Sequence, residues 1–141
     1  MIAAVANSVL SVMIVDDEAP ARARLRDLLA DMALVLPTEV LAEAGNGLLA
    51  LDAIAGRRVD VALVDIRMPK MDGIELARHL SALEYPPAVI FVTAFDAYAV
   101  QAFEVNAIDY LLKPVRAQRL LTALQKARQN RPLTSKQLVQ R

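Results

Sequence analysis

Five short aliphatic runs, separated by amphipathic stretches, constrain the fold of this chain more than any other feature. The runs are VLSVMIV (9–15), EVLAEA (39–44), VDVALV (59–64), AVIFVT (88–93) and the shorter DYLL (109–112). They do not alternate regularly between apolar and polar residues, which predicts strands that are covered on both faces. Strands of this kind belong to parallel sheets that carry helices on both sides. The sequence therefore predicts a buried parallel sheet.

Stretches with helical periodicity lie between these runs. In residues 20–32 the leucines fall on one stripe, while Arg22 and Arg26 face away from it. Pro20 suits the first turn of that helix, because a proline there has no N–H to leave unpaired. Further helices are predicted at 47–56, 73–83, 96–104 and 116–130. The alternation of five strands with five helices predicts a doubly wound α/β domain.

The length of 141 residues suits one domain. We expect it to span residues 9–130, after an N-terminal extension at 1–8 and before a linker or disordered tail at 131–141. The zero net charge is unevenly distributed, since residues 1–115 carry nine basic and sixteen acidic residues, whereas residues 116–141 carry seven basic residues and no acid. An acidic body disfavours direct binding of nucleic acid by the domain.

The sequence offers no sign of disulfides or of a membrane segment. It contains no cysteine, which also excludes thiolate metal sites. The apolar start MIAAVANSVLSVMIV lacks the positive charge of a signal sequence and runs directly into two aspartates. No stretch reaches the ~18 uninterrupted apolar residues of a membrane helix. We therefore expect a cytoplasmic protein without membrane association.

Charged and polar residues stand at the ends of the predicted strands. They are Asp16 and Asp17 after the first, Asn46 and Gly47 after the second, Asp65 after the third, Thr93 at the end of the fourth, and Lys113 and Pro114 after the fifth. Ligands of open α/β sheets bind beyond the carboxyl ends of the strands, where these residues would converge. We expect the three aspartates, the threonine and the lysine to form a site there, and we interpret Asn46 and Gly47 as loop residues.

Three aspartates in one cleft repel one another unless positive charge lies among them. Lys113 supplies one positive charge, and a divalent cation would neutralise the rest. Ligands that are all oxygen, without His or Cys, favour Mg²⁺, Mn²⁺ or Ca²⁺ over zinc. Asp65 could then act as a nucleophile on phosphorus, with Thr93 and Lys113 holding the phosphoryl oxygens. The plainer alternatives are that Asp65 only forms a turn and that Asp16 and Asp17 only cap the first helix.

Four motifs in this order resemble the receiver domains of bacterial two-component response regulators. The motifs are VDDE (15–18), VDIRMPKMDG (64–73), VTA (92–94) and DYLLKP (109–114). Their combination is far more specific than any one of them. The resemblance implies a flavodoxin-like receiver fold with a five-stranded parallel sheet in the order 2-1-3-4-5, and five helices.

Two longer stretches are most similar to the LytTR-type (LytR/AlgR) regulators, in which a DNA-binding domain follows the receiver. They are DDEAPARARLRDLL (16–29) and TAFDAYAVQAFEVNAIDYLLKPV (93–115). We therefore expect a receiver fragment or a stand-alone receiver, with residues 131–141 leading toward an output domain. Transcription would be regulated through that output domain, and this domain would not contact DNA itself.

The resemblance implies a role for each residue of the predicted site. Asp65 would be the phosphoacceptor, and Lys113 would pair with the phosphoryl group. Asp16, Asp17 and Asp65 would bind Mg²⁺, with Mn²⁺ as the alternative, and the backbone carbonyl of Arg67 would complete the metal shell. The domain would be no enzyme beyond catalysing its own phosphorylation and dephosphorylation.

The resemblance also implies a switch and a cis Lys113–Pro114 peptide. Thr93 would be the switch hydroxyl and Tyr110 a rotating aromatic, and together they would shift the face formed by residues 96–130 between two states. Charges of both signs on that face predict homodimerisation. They are Asp96, Glu104, Asp109, Arg116, Arg119 and Lys126, beside the apolar Tyr98, Val100, Phe103 and Val105.

The implied phosphodonor is a histidine on a partner kinase. His79 lies on the predicted third helix, away from the strand ends, and is interpreted as a surface residue. Arg67 and Phe95 would flank the phosphoryl group and could slow its hydrolysis. The main alternative function is a degenerate receiver that acts as a phosphorylation-independent interaction module. A phosphohydrolase would need an acid where Arg67 stands, and a flavodoxin-like electron carrier would need a phosphate-binding loop that the sequence lacks.

Overall fold

The computed structural model describes residues 8–129, in which five strands alternate with five helices. The strands are β1 (Leu10–Val15), β2 (Thr38–Ala44), β3 (Val61–Val64), β4 (Ala88–Thr93) and β5 (Asp109–Leu112). The helices are α1 (Ala19–Asp31), α2 (Gly47–Ile54), α3 (Gly73–Ser81), α4 (Ala99–Glu104) and α5 (Ala117–Arg128). Apart from Ser8, the predicted N-terminal extension lies outside the described residues, as does the whole of the predicted tail at 131–141.

The strands form one parallel sheet in the order β2-β1-β3-β4-β5, which confirms the predicted doubly wound fold. Helices α2, α3 and α4 pack on one face, around residues such as Phe91 and Leu76. Helices α1 and α5 pack on the other face, around residues such as Ile90 and Leu124. The two apolar layers explain why the central strands do not alternate in sequence. The edge strand β2 differs from this prediction, because most of its residues are only half-buried.

The starts of the helices show how local sequence sets the element boundaries. Asn46 and Gly47 are not simple loop residues, because Gly47 is the first residue of α2 and Asn46 caps this helix by accepting a hydrogen bond from the Leu49 N–H at 2.9 Å. Asp72 caps α3 in the same way, from the Glu75 N–H at 2.8 Å. Helix α4 begins at Ala99, three residues later than predicted, and has no side-chain cap. The residues that separate β4 from α4 therefore form a longer loop at the carboxyl end of the sheet.

Gly73 fixes the loop between β3 and α3 at a close approach of two backbone segments. A Cβ atom at this position would collide with the carbonyl oxygen of Asp65 and lie 2.9 Å from the Cα of Ile66. The Gly73 N–H donates to the carbonyl oxygen of Ile66 at 2.7 Å. Helix α3 thus begins in direct contact with the residues that end β3, which positions Asp65.

No helix within residues 8–129 combines the length and the apolar character that crossing a membrane requires.

Candidate functional site

The carboxyl ends of the strands bring four charged side chains together at one edge of the sheet. Asp16, Asp17 and Asp65 each place a carboxylate oxygen within 4.8 Å of the other two. Lys113 Nζ donates to Asp16 Oδ2 at 2.8 Å and to Asp65 Oδ2 at 3.3 Å. Thr93 ends β4 beside them and is fully buried. The structure therefore brings together the three aspartates, the threonine and the lysine that were predicted to form a site at the strand ends.

Backbone amides hold the two buried carboxylates in place. Asp65 Oδ1 accepts from the N–H of Ile66 at 2.7 Å, and Asp16 Oδ1 accepts from the N–H of Glu18 at 2.9 Å. Asp17 is exposed. Glu18 is the N-cap residue of α1, and no side chain caps this helix. The capping alternative for Asp16 and Asp17 therefore receives no support.

The site contains more negative than positive charge, with three carboxylates and one ammonium. Burial raises the pKa of Asp65 above its ordinary value of 3.8, and the charge of Asp16 adds to that effect, while Lys113 and the Thr93 hydroxyl oppose it. Burial acts to lower the pKa of Lys113, but its hydrogen bond to Asp16 and the charge of Asp65 outweigh burial and raise it. Lys113 is thus a protonated ammonium, and its charge offsets that of one of the three carboxylates. The Lys113–Pro114 peptide is cis, as the resemblance implies.

The donor atoms of this cluster fit a hard divalent cation. Three carboxylates that approach within 4.8 Å supply only oxygen ligands, and oxygen-only sites favour Mg²⁺, Mn²⁺ or Ca²⁺. An open cleft of about 390 Å³ adjoins the cluster at Asp17. The cleft is lined by Asp17, Ile66, Arg67, Met68, Pro69, Asp72 and Tyr98. The cluster is therefore open to solvent on the side of Asp17, and its three carboxylates can hold a cation.

Phe95 connects the site to the core in a way that the sequence did not indicate. Its N–H donates to Thr93 Oγ1 at 3.4 Å, and its carbonyl oxygen accepts a hydrogen bond from the Tyr110 hydroxyl. Tyr110 points inward, almost fully buried, with its ring centroid 6.3 Å from that of Phe91. The Arg67 guanidinium lies 4.5 Å from the centroid of the Phe95 ring. Phe95 thus contacts both predicted switch residues and the residue two positions after Asp65.

Arg22 makes a second contact that sequence reasoning missed. Its Nη1 donates to the backbone carbonyl oxygen of Asp16 at 2.6 Å, and its Nε donates to Glu43 Oε1 at 3.2 Å. The helical pattern correctly placed Arg22 away from the core, but it could not show a contact with the loop after β1. A cation in the first turn of α1 and an acid near the end of the neighbouring strand β2 were the available signal.

The structure also separates other residues from the site. His79 is exposed on α3, 4.0 Å from Glu75. Asp109, predicted to be one of the surface charges that favour homodimerisation, is almost fully buried. It is bonded within the chain to Arg119, at 3.0 Å for each oxygen, and to Lys126 at 2.9 Å. These three charges pair within the chain, which corrects the prediction that they contribute to homodimerisation.

Comparison with known protein families gives a match over most of the chain. A family model described as "Response regulator receiver domain" matches residues 12–125. An uncharacterized response regulatory protein of Vibrio cholerae is 48% identical over 123 residues, which cover 87% of this chain and 46% of that protein. The positive alginate biosynthesis regulatory protein of Pseudomonas aeruginosa is 47% identical over 118 residues, which cover 84% and 47%. The chain spans about half the length of the curated relatives it matches.

Solved structures show the same architecture. The response regulatory domain of mrkE from Klebsiella pneumoniae superposes with a TM-score of 0.76 at 35% identity, covering 84% of this chain and 94% of that one. The signal receiver domain of the putative response regulator NarL from Mycobacterium tuberculosis gives a TM-score of 0.79 at 30% identity, covering 88% and 99%.

Proposed function

This chain belongs to the response regulator receiver family, and from that premise we propose that Asp65 accepts a phosphoryl group from a partner histidine kinase in a Mg²⁺-dependent reaction. One observation carries the proposal. The buried carboxylate of Asp65 shares the Lys113 ammonium with Asp16. Together with Asp17, these two acids lie close enough to bind one cation. A carboxylate in this setting is a nucleophile beside a phosphate-pairing ammonium.

In the proposed reaction an oxygen of Asp65 attacks the phosphorus of a phosphohistidine. An O–P bond forms as the P–N bond breaks, and the electron pair leaves with the imidazole nitrogen, which takes a proton from solvent. Asp16, Asp17, Asp65 and the carbonyl of Arg67 would hold the cation, for which Mn²⁺ is the alternative. The bound cation supplies charge neutralisation at the phosphoryl oxygens. We propose no catalysis beyond the domain's own phosphorylation and dephosphorylation.

The contacts of Phe95 support a path from the phosphoryl group to the 96–130 face. A phosphoryl group brings new charge and three strong acceptor oxygens, which compete for the Thr93 hydroxyl. Movement of Thr93 removes its bond to the Phe95 N–H, while Tyr110 holds the Phe95 carbonyl from the other side. The loop before α4 then changes its balance between two arrangements.

The Arg67–Phe95 contact supports a slow loss of the phosphoryl group. The Arg67 guanidinium, which lines the cleft, lies over the ring of Phe95. In the proposed phosphorylated state, an attacking water approaches Asp65 from the side of this cleft. We propose that this pair restricts its approach and extends the lifetime of the phosphorylated state.

The output is proposed to be LytTR-type control of transcription. The identity to the alginate regulator supports this, and we propose that residues 131–141 lead toward a DNA-binding domain. The 96–130 face exposes Val100, Phe103 and Leu112, which supports homodimerisation there. With Asp109 paired internally, the exposed charges left for this contact include Asp96, Glu104 and Arg116.

Phosphate-affinity electrophoresis tests the proposal. Incubation with acetyl phosphate and Mg²⁺ should produce a slower band that disappears with EDTA and in Asp65→Asn. Asp72→Asn is the matched control, because it removes an acid from the same loop while asparagine still caps α3. A wild-type protein that never shifts, under acetyl phosphate or a phosphorylated kinase, would instead support the degenerate receiver.

A further inference from the structure

We propose that Arg22 is a positioning residue that holds the loop after β1 in the shape required for cation binding by Asp16 and Asp17. The inference rests on the proposed metal-dependent function, but its test measures cation binding and not phosphorylation. Arg22 would not touch the cation. It acts through the backbone of Asp16.

The bonds of Arg22 give it this role. The Nη1–H donates to the Asp16 carbonyl oxygen at 2.6 Å, and the positive charge of the guanidinium strengthens this hydrogen bond. Its Nε–H is bonded to Glu43 on β2 at 3.2 Å. A guanidinium has donors in a fixed planar fork and can serve both partners at once. Glu43 therefore orients the guanidinium, and the guanidinium fixes the carbonyl.

Fixing the Asp16 carbonyl oxygen fixes the residue that follows. The peptide unit is planar, so the position of this oxygen also sets the direction of the Asp17 N–H and Cα. The Asp16 side chain is buried and bonded at both oxygens. Asp17 is exposed, so burial does not hold its carboxylate in place. The orientation of the peptide before it is thus a main constraint on where that carboxylate points.

Arg26 provides a natural control on the same helix. One turn after Arg22, its Nη1 donates to both oxygens of Glu43 at 2.6 and 2.7 Å. Both arginines therefore connect α1 to β2. Of these two, Arg22 alone is bonded to the backbone of Asp16.

The effect of charge opposes the effect of position, which makes the sign of the result informative. Arg22 is a cation near a cation site, so its removal on electrostatic grounds alone would tighten Mg²⁺ binding. Loss of the Asp16 contact predicts the opposite. Outer-shell partners that orient metal ligands typically contribute about 10–100-fold in affinity.

The experiment is calorimetric titration of Mg²⁺ into the unphosphorylated full chain. We expect Arg22→Gln to weaken Mg²⁺ binding about tenfold relative to wild type, and Arg26→Gln to change it less than about twofold. Both substitutions should lower the midpoint of urea denaturation. Arg22→Lys keeps the charge and the fold but not the fork, and should also bind Mg²⁺ more weakly.

Unchanged or tighter binding in Arg22→Gln and Arg22→Lys would overturn the positioning role while leaving the proposed function intact. Equal weakening in Arg26→Gln would also overturn it, since a general loss of α1–β2 contacts would then explain the effect. A wild-type chain that binds no Mg²⁺ would remove the metal-dependent function and this inference together.

Discussion

Replacing Asp109 by asparagine should destabilise the protein in a pH-dependent way. Burial acts to raise the pKa of Asp109, but hydrogen bonds from Arg119 and Lys126 outweigh it and lower the pKa from 3.8 to about 2. A shift of this size corresponds to about 2 kcal/mol in favour of the ionised, folded state. Asparagine keeps the shape of the side chain but has no charge to contribute.

The sign of the pH dependence follows from linkage. Because the pKa is lower in the folded than in the unfolded state, the stabilisation by Asp109 is fully present above about pH 4 and is lost as pH falls toward 2. About half should remain at pH 3. Breaking a fully buried ion pair costs about 3–5 kcal/mol, but the loss here should stay near 2 kcal/mol. Arg119 is exposed and Lys126 half-buried, so water can solvate the cations left behind.

Urea denaturation at 25 °C measures this difference. At pH 7 the unfolding free energy of Asp109→Asn should lie about 2 kcal/mol below wild type, and at pH 3 only about 1 kcal/mol below it. Asp96→Asn, an exposed acid on the same face, should stay within about 0.5 kcal/mol at both pH values. A loss below 0.5 kcal/mol at pH 7, or one that does not shrink in acid, would refute the electrostatic reasoning.

Three further changes test the site. Asp65→Asn should raise the midpoint of urea denaturation at pH 7 without divalent cations, because a buried carboxylate with a raised pKa destabilises the fold when ionised. A lower midpoint would contradict this. Mg²⁺ should stabilise only the wild type. Phe95→Leu should speed loss of the phosphoryl group about 2–5-fold, because it removes a cation–π contact with Arg67 of about 0.5–1 kcal/mol; an unchanged decay in phosphate-affinity gels would exclude the shielding role. Gly73→Ala should lower the unfolding free energy by about 1–3 kcal/mol and slow phosphorylation, since its Cβ meets the backbone that carries Asp65. Gly45→Ala, whose Cβ has no neighbour nearer than 3.9 Å, is the control, and equal losses would contradict the steric account.

The sequence predicted the architecture because the buried runs and the helical periodicity are local patterns. The strand order came from the resemblance, since aliphatic runs do not specify their neighbours. The start of α4 was misplaced at residue 96. Phe95 is bonded through its backbone to Thr93 and Tyr110, and these contacts hold the following residues in a loop. The contact with Tyr110 joins residues that lie 15 positions apart, so a local window of sequence does not show it.

The charged site was predictable for a geometric reason. The carboxyl ends of parallel strands lie at one edge of the sheet. The residues that end or follow β1, β3, β4 and β5 must therefore lie close together. The supporting contacts were not predictable in the same way. The bond between Arg22 and the Asp16 carbonyl depends on how α1 lies against β2. The ion pairs of Asp109 depend on which side chains of α5 face β5. Both require three-dimensional packing that the residue types leave open.

The two acidic networks of this domain argue together for the function of one of them. Asp109 is buried and bonded to two cations, so its charge is satisfied and its pKa is lowered. Asp65 is buried as well, but it shares one ammonium with Asp16 and lies beside Asp17, and its pKa is raised. The first arrangement stabilises the fold by itself. The second destabilises the protein while its carboxylates lack further positive charge. A bound cation would reduce that cost, because it would offset their mutual repulsion. This excess of negative charge supports the proposal that the cluster binds a cation, and the position of Lys113 beside Asp65 supports the proposal that Asp65 accepts a phosphoryl group.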